Sequence, residues 1–348
     1  MKKIGVLGAG TIGMSMARML YNSGNEVLVW SAIESELEEC ETTGKHHNLP
    51  GMTIPEGIRY TRDIAEVCRD KDLLMFAIPS VFIRGAVAAA REYIPDGQII
   101  SDVGKGIEPD TLFTMSQIIR DELCKDGKHD NVKIVALSGP THAEEIALDI
   151  PTTIVSACED NDAAKFVQEI YTNPNMRVYT NADVLGIELC GSLKNVIALA
   201  CGISTGIGFG DNTKAALITR GMAEITRLGL KMGCMEQTFY GLAGMGDLIV
   251  TATSMHSRNN RCGMYIGQGK PVDEAIREVG QVVEGLNTLP AAMQLAEKYG
   301  VEMPIVSALG SIVYDGANPA DVVSMLMGRE LKAEVSEAAL RKFIEEKI

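Results

Sequence analysis

The sequence is poor in aromatic residues and in positive charge. Aromatic side chains make up 5% of its 348 residues, with a single Trp, although 46% of the residues are hydrophobic. The core is therefore expected to consist of aliphatic, Ala and Met side chains, with backbones in close contact at glycine. Lys and Arg total 32 against 46 Asp and Glu, a formal net charge of −14. This balance argues against nucleic acid as the partner, whereas a small phosphorylated ligand needs only a few local cations and N–H groups.

Paired cysteines, a signal peptide and a long apolar run are also absent from the sequence. The 8 Cys residues are scattered and form no Cys-x-x-Cys pair, which favours reduced thiols in a cytoplasmic protein. The chain starts with a strand-like segment rather than with the apolar region and cleavage site of a signal peptide. No unbroken apolar run reaches the ~18–20 residues of a membrane span. We therefore expect a cytoplasmic protein without membrane insertion.

The first half of the sequence alternates strand-like and helix-like segments. Strands are predicted at residues 4–7, 26–30, 73–78, 98–101, 132–137, 152–156 and 177–179. Helical segments between them are typical of β-α-β units and a mostly parallel sheet. From about residue 184 helical periodicity dominates. The pattern predicts an α/β domain over residues 1–184 and an all-α domain over residues 185–348.

A glycine motif, Gly8-Ala9-Gly10-Thr11-Ile12-Gly13, lies between the first strand and the first helix. The first glycine permits a tight turn, the second lets the backbone approach a pyrophosphate, and the third allows close helix–strand packing. The helix N-terminus would supply free N–H groups to the phosphates. This position in a β-α-β unit predicts a Rossmann-type dinucleotide site. A tight turn without a ligand is the alternative.

The second strand leaves the choice of dinucleotide open. An acidic residue at its end would bind the ribose hydroxyls of NAD, and an Arg would favour NADP. The strand ends in Trp30-Ser31-Ala32, and Glu34 comes later and is predicted to begin a helix. The missing cation weakens the case for NADP without establishing NAD.

Two lysines lie in apolar or glycine-rich surroundings, where a charged side chain is unexpected. Lys105 lies between two glycines directly after an apolar strand, where open α/β sheets bind ligands. Lys194 lies on a helical stripe with Cys190 and Ile197. Desolvation and a nearby cation both lower the pKa of a lysine, which can then act as general acid or base near neutral pH. The alternatives are a solvated Lys105, and a Lys194 that snorkels to solvent or pairs with an acid such as Glu188.

A polar string follows a glycine-rich turn in the second half. The turn, residues 241–247, ends in the carboxylate of Asp247, and Ser257-Arg258-Asn259-Asn260-Arg261 comes ten residues later. Hydroxyl, guanidinium and amide donors at this density are typical of a phosphate site. A polar surface loop is the alternative. His46 and His47 are adjacent in a predicted loop, but we predict no metal site.

Several further strings carry a family resemblance. In chain order they are Gly8-Ala9-Gly10, Asn48-Leu49-Pro50, Gly104-Lys105-Gly106, and the segments 137–141, 193–198, 216–221, 244–248, 257–259 and 281–285. Together they resemble the bacterial NAD(P)-dependent glycerol-3-phosphate dehydrogenases, from Gly8 to about residue 332. The resemblance implies a Rossmann domain joined to an all-α domain similar to that of 6-phosphogluconate dehydrogenase. It also implies a homodimer and no metal.

The resemblance implies reversible reduction of dihydroxyacetone phosphate to sn-glycerol 3-phosphate with NAD(H) or NADP(H), for glycerophospholipid synthesis. Lys194 would be the proton acceptor and donor, and Lys105, the second catalytic residue, would contact substrate and cofactor. The substrate residues implied are Lys105, Gly139, Thr141, Lys194, Asp247, Ser257, Arg258 and Asn259. The cofactor residues are Gly8, Gly10, Thr11, Ile12, Gly13, Lys105, Ala143, Arg258, Val282 and Glu284.

One position departs from the family pattern, and two other functions stay open. Ala32 stands where family members usually have Arg or His, which removes an expected partner for the 2′-phosphate of NADP. A related β-hydroxyacid dehydrogenase would act on a carboxylate instead of a phosphate. A non-catalytic nucleotide sensor would keep the glycines but would not need Lys194 on an apolar face.

Overall fold

A computed structural model describes residues 1–331, 333–335, 341 and 343–345. Eight strands form one sheet: β1 Lys3–Leu7, β2 Glu26–Trp30, β3 Arg59–Thr61, β4 Leu73–Phe76, β5 Ile99–Asp102, β6 Lys133–Ser138, β7 Thr152–Ala157 and β8 Met176–Asn181. Their order is β3-β2-β1-β4-β5-β6-β7-β8. β6 and β7 pair antiparallel and the other neighbours pair parallel. The strand order reverses beside β1, as in doubly wound folds.

Helices separate the strands and cover both faces of the sheet. They are α1 Thr11–Asn22, α2 Glu34–Thr43, α3 Ile64–Cys68, α4 Ser80–Ala90, α5 Met115–Leu123, α6 Ala143–Ala147 and α7 Asn161–Tyr171. All four residues of β4 are buried: Leu73 and Met75 belong to the core on one face, and Leu74 and Phe76 to the core on the other. This alternation follows from the two-residue period of a strand. We call β1–β8 with these helices the sheet part.

The rest of the described chain is helical. Its helices are α8 Val184–Ile207, α9 Asp211–Lys231, α10 Glu236–Phe239, α11 Asp247–Thr253, α12 Arg258–Gly267, α13 Val272–Val279, α14 Glu284–Tyr299, α15 Pro304–Tyr314 and α16 Pro319–Met327. We call them the helical part. The predicted fold class, a Rossmann-type sheet followed by an all-α region, is confirmed. The end of the predicted second domain, at residues 332, 336–340, 342 and 346–348, lies outside the described residues.

The helix α8 is the centre of the helical part. It is long and apolar enough to cross a membrane by length and composition, but 83% of its most apolar window is buried inside the protein. Its sequence contains no unbroken apolar run of that length, because the charged residues Glu188 and Lys194 interrupt it. Burial among other helices accounts for its apolar character without a bilayer.

Glycines bring α8 and α12 into direct backbone contact. A Cβ on Gly202 would lie 2.1 Å from the carbonyl oxygen of Asn260, and one on Gly263 would lie 2.1 Å from that of Leu199. Gly206 and Gly267 repeat these contacts one turn further along. The two helices therefore run parallel, with the start of α12 beside the middle of α8. We call this contact the glycine seam.

Candidate active site

The glycine motif forms the turn between β1 and α1. Gly8 has φ of +115°, and a Cβ on it would lie 2.4 Å from the carbonyl oxygen of Ala77. A Cβ on Gly13 would lie 2.1 Å from the Gly8 carbonyl oxygen, whereas one on Gly10 would meet no atom within 4 Å. Gly8 and Gly13 are thus required by packing, and Gly10 leaves open space beside the backbone. The helix begins at Thr11, and no side chain of the described residues caps it. N–H groups of its first turn are left for a phosphate, so this cradle fits a dinucleotide.

His46 supports the glycine motif and was not predicted to do so. Its ring is buried, and Nε2 lies 3.2 Å from the carbonyl oxygen of Ala9, which can only accept. Nδ1 lies 3.2 Å from the Asn48 backbone N–H, which can only donate. The two contacts together fix a neutral ring that donates through Nε2. The sequence placed the adjacent His-His pair in a loop and gave no sign of this contact across 37 residues.

Two lysines from different parts of the chain bind one carboxylate. Lys194 comes from α8, Lys105 from the loop after β5, and Asp247 from the first residue of α11. Lys194 Nζ lies 2.6 Å from Asp247 Oδ1, and Lys105 Nζ lies 2.6 Å from Asp247 Oδ2. Lys194 also donates to the hydroxyl of Thr251, at 2.5 Å. The predicted alternative for Lys194, pairing with an acid such as Glu188, is correct in the pairing and wrong in the acid: the partner is Asp247. The Glu188 carboxylate accepts its bonds from the N-terminal turn of α5.

Burial governs the electrostatics of this cluster. Lys194 is 4% exposed and Asp247 is 1% exposed. Burial, and secondarily the positive charge of Lys105, lowers the pKa of Lys194 to about 7 despite the opposing charge of Asp247. An amine with this pKa is both a proton donor and a proton acceptor near neutral pH. Burial and the nearby Lys194 also lower the pKa of His142, whose ring lies 5.9 Å from that of His256.

The turn after β6 contributes the next contacts. Lys105 Nζ lies 3.2 Å from the carbonyl oxygen of Gly139 and 3.4 Å from the hydroxyl of Thr141. Gly139 has φ of +157°, and a Cβ on it would lie 3.0 Å from the carbonyl oxygen of Thr153. The stem of Lys105 passes Gly191 of α8, where a Cβ would lie 3.6 Å from Lys105 Cγ. The carboxyl ends of β5 and β6 and the middle of α8 thus meet at the lysines.

The start of α12 is buried, so the predicted alternative of a polar surface loop is wrong. Ser257 accepts a hydrogen bond from the Asn260 N–H at 3.2 Å and caps the helix. The Asn259 amide donates to Asn195 Oδ1 at 3.0 Å and accepts from the Gly285 N–H at 2.8 Å. Arg258 forms no hydrogen bond or ion pair within the described part of the chain, and burial lowers its pKa. The free guanidinium is therefore the group that this helix end offers to an anion.

Of the remaining predicted cofactor residues, Glu284 connects the helical part to the sheet part. The Glu284 carboxylate, at the start of α14, accepts from the Ser80 N–H at 3.0 Å and from the Ser80 hydroxyl at 2.5 Å. Val282 precedes α14 and is half-buried, and Ala143 is the first residue of α6. Among the described residues, no group of three or more His, Cys, Asp and Glu could hold a metal ion.

Two of the three predicted cations, Lys105 and Lys194, come together, and the third lies at the start of a helix that packs on α8. Lys105 and Lys194 share Asp247, while Arg258 precedes Asn259, which bonds the residue directly after Lys194. A doubly wound sheet with a glycine cradle, and a buried lysine on an adjoining helical part, define a two-domain nicotinamide-nucleotide dehydrogenase.

Comparisons with known proteins name the family. Models of the N-terminus and the C-terminus of NAD-dependent glycerol-3-phosphate dehydrogenase match residues 3–164 and 183–324. The chain belongs to this family, and the predicted resemblance is confirmed.

Similar proteins match over nearly full length. The chain is 63% identical over 337 residues to glycerol-3-phosphate dehydrogenase [NAD(P)+] 2 of Lactobacillus delbrueckii subsp. bulgaricus, covering 97% of this chain and 100% of the relative. It is 46% identical to glycerol-3-phosphate dehydrogenase [NAD(P)+] of Fusobacterium nucleatum subsp. nucleatum, with 96% and 99% covered. The crystal structure of glycerol-3-phosphate dehydrogenase from Coxiella burnetii superposes with a TM-score of 0.89 at 32% identity, covering 94% of this chain and 99% of that one.

Proposed function

We propose that the protein catalyses the reversible reduction of dihydroxyacetone phosphate to sn-glycerol 3-phosphate with a nicotinamide dinucleotide. Family membership gives the substrate class. The observation that carries the assignment is the buried Lys194, whose pKa is about 7 and which is bound to Asp247 and Thr251. A non-catalytic nucleotide sensor would have no use for a buried amine in this state.

Lys194 is the proton donor in the proposed mechanism. When bound, the nicotinamide supplies a hydride to C2 of the ketone, and the electron pair of the carbonyl moves onto its oxygen. Lys194 gives that oxygen a proton, and in the reverse direction it takes the proton back. Lys105 stabilises the negative charge that develops on the oxygen. Asp247 fixes both amines in place, and Thr251 orients Lys194.

The other predicted contacts complete the site. The substrate phosphate binds Arg258, whose guanidinium is free, with Ser257 and Asn259 holding the start of α12 in position. Gly139 and Thr141 place Lys105 against the substrate. The proposed cofactor residues are those of the cradle, namely Gly8, Gly10, Thr11, Ile12 and Gly13, together with Ala143, Val282 and Glu284. Lys105 and Arg258 contact both ligands.

The wider predictions are part of the same proposal. We propose two domains, residues 1–184 and 185–348, because β8 ends at Asn181 and α8 begins at Val184. The family relationship supports a homodimer in the cytoplasm that does not insert into a membrane and feeds glycerophospholipid synthesis.

The test is the rate of dihydroxyacetone phosphate reduction by Lys194→Met, which keeps an unbranched side chain of nearly the same length and removes the amine. We expect kcat to fall by a factor of about 100 or more, the usual effect of losing a general acid. Lys231→Met, at an exposed position at the end of α9, is the matched control. Near wild-type turnover by a folded Lys194→Met protein would overturn the assignment. A panel of hydroxy acids separates this proposal from a β-hydroxyacid dehydrogenase, and dinucleotide binding without turnover of any substrate would favour the sensor.

A further inference from the structure

The carboxyl end of β2 offers no free cation at the expected position. In a Rossmann domain the residues after the second strand contact the ribose that carries adenine. Here Trp30 ends the strand, Ser31 is buried and Ala32 is exposed. The methyl group of Ala32 provides neither a charge nor a hydrogen bond.

A carboxylate is held at this place instead. The hydroxyl of Ser31 accepts from the Ile33 N–H at 3.1 Å and donates to Glu36 Oε2 at 3.0 Å. Glu36, in the first turn of α2, is only half-buried, so that it is both anchored and accessible. An anchored carboxylate accepts a hydrogen bond from a ribose hydroxyl and repels a phosphate.

The neighbouring strand does carry a cation, but it is already paired. Arg62 directly follows β3, whose last residue, Thr61, is paired with Trp30. Its Nη1 lies 2.7 Å from Glu41 Oε2, and its Nε lies 3.9 Å from Glu34 Oε1. Arg62 would have to leave both carboxylates of α2 to bind a 2′-phosphate.

We infer that Glu36, anchored by Ser31, selects NAD(H) over NADP(H), and that Glu34 and Glu41 withhold Arg62 from a 2′-phosphate. The inference rests on the proposed function in so far as the glycine cradle binds a nicotinamide dinucleotide. The open space at Gly10 and the uncapped start of α1 place the pyrophosphate one strand away from Glu36, independently of the charges on α2. The structure thus assigns the specificity to α2 and to the residue after β3.

The test is calorimetric titration with NADH and NADPH in the absence of substrate. We expect NADH to bind at least about tenfold more tightly, equivalent to about 1.4 kcal/mol. The pair 5′-AMP and adenosine 2′,5′-bisphosphate, which differ only by the 2′-phosphate, should show the same preference. The fluorescence of Trp30, the only Trp of the chain, gives a second readout at the end of β2.

Three variants separate the effect of the Glu36 charge on the dinucleotide preference from the effect of the ion pairs of Arg62. Glu36→Gln removes the repelling charge and should lower the preference for NADH at least about fivefold. The double variant Glu34→Gln/Glu41→Gln frees Arg62 and should tighten NADPH binding. Glu56→Gln makes the same change of net charge at an exposed position between α2 and β3 and is the matched control.

Two results would overturn the inference: equal binding of NADH and NADPH by the wild type, or an effect of Glu56→Gln as large as that of Glu36→Gln. Neither result would touch the proposed reaction, which requires only that one dinucleotide support turnover of dihydroxyacetone phosphate. Conversely, a protein that does not turn over this substrate would still show the dinucleotide preference in the titration.

Discussion

At the scale of single residues, the proposed proton transfer depends on the buried Asp247 carboxylate, which forms ion pairs with both Lys194 and Lys105. Asp247 places one oxygen against each amine, so that neither Lys194 nor Lys105 is left without a counter-charge. Two positive charges on one negative charge leave an excess of one. The more deeply buried amine, that of Lys194, is the one that loses its proton most easily.

The pH dependence follows from this excess charge. In the proposed mechanism reduction needs protonated Lys194, so kcat/KM for dihydroxyacetone phosphate should fall as the pH rises above about 7, while kcat/KM for oxidation should fall as the pH drops below it. Lys105→Met removes the second cation, raises the pKa of Lys194 and should move both profiles to higher pH. The measurement is the midpoint of each profile, with Lys231→Met as the control. Unchanged midpoints in Lys105→Met would contradict the coupling.

His46 gives a second prediction at this scale. Burial lowers the pKa of its ring, so the neutral form is the one that the fold holds. Its contribution to stability is therefore present above the ordinary histidine pKa of about 6.5 and is lost as the pH falls below it. His46→Phe removes the donor to Ala9 and should weaken NADH binding and cost about 1–3 kcal/mol of unfolding free energy.

His47→Phe is the control for His46, because His47 is an exposed neighbour that stacks on it at 5.0 Å and pairs with Glu39. Calorimetric titration measures the affinity for NADH, and urea unfolding measures the unfolding free energy. Equal effects of both substitutions would show that the bond to Ala9 does not position the glycine cradle.

At the scale of elements, the glycine seam positions two of the proposed substrate residues. It fixes the start of α12, with Arg258, beside the turn of α8 that carries Lys194. Gly263→Ala would put a Cβ 2.1 Å from the carbonyl oxygen of Leu199 and would force the two helices apart. We expect a loss of about 1–3 kcal/mol in unfolding free energy and a raised KM for the phosphorylated substrate.

Gly85→Ala is the matched control for the seam. Gly85 lies in α4, and its Cβ would meet no atom within 4 Å. Because Ala is the better helix former, this variant should be neutral or stabilised by up to about 1 kcal/mol. Denaturant unfolding compares the unfolding free energies of the two variants. A Gly263→Ala protein as stable as Gly85→Ala would refute the role of the seam.

Elements were predictable where periodicity was long and unpredictable where it was short. The seven predicted strands have clear apolar patterns, and their positions agree with the structure to within about two residues. The strand β3 has only three residues and follows no pattern of its own. The helix α12 was missed because its first turn is polar, and such a turn reads as a loop unless the buried partners, here Asn195 and Gly285, are known.

At the scale of the whole molecule, buried carboxylates connect the sheet part to the helical part. Glu188 of α8 accepts from the Thr114 hydroxyl at 2.6 Å, and from the Ser116 N–H and hydroxyl at 2.7 and 2.6 Å. Glu188→Ala leaves these donors unpaired and should lower the unfolding free energy by about 2–4 kcal/mol. Glu188→Gln keeps an acceptor and should cost less. A denaturation midpoint of Glu188→Ala equal to that of Glu188→Gln would argue against the connection.

The arrangement of the candidate site could not be predicted either, because its residues are far apart in the sequence. The sequence singled out Lys105, Lys194 and Asp247 one at a time, from glycines, an apolar stripe and a turn. Nothing local indicates that the three side chains meet, because Lys105 and Asp247 are 142 residues apart in the chain. The net charge of −14 likewise hides a local cluster of cations, which explains how an acidic protein can offer a site for anionic ligands.

The sharing of Asp247 has a consequence for how activity arises during folding. Contacts between residues far apart in sequence form late, because closing a long loop costs entropy before the contact compensates it. The tie from Lys105 to Asp247 joins the loop after β5 to the start of α11, and so it forms only when the two parts of the chain have docked. We therefore expect a refolding molecule to recover helix content before it recovers turnover, so that turnover reports the docking step.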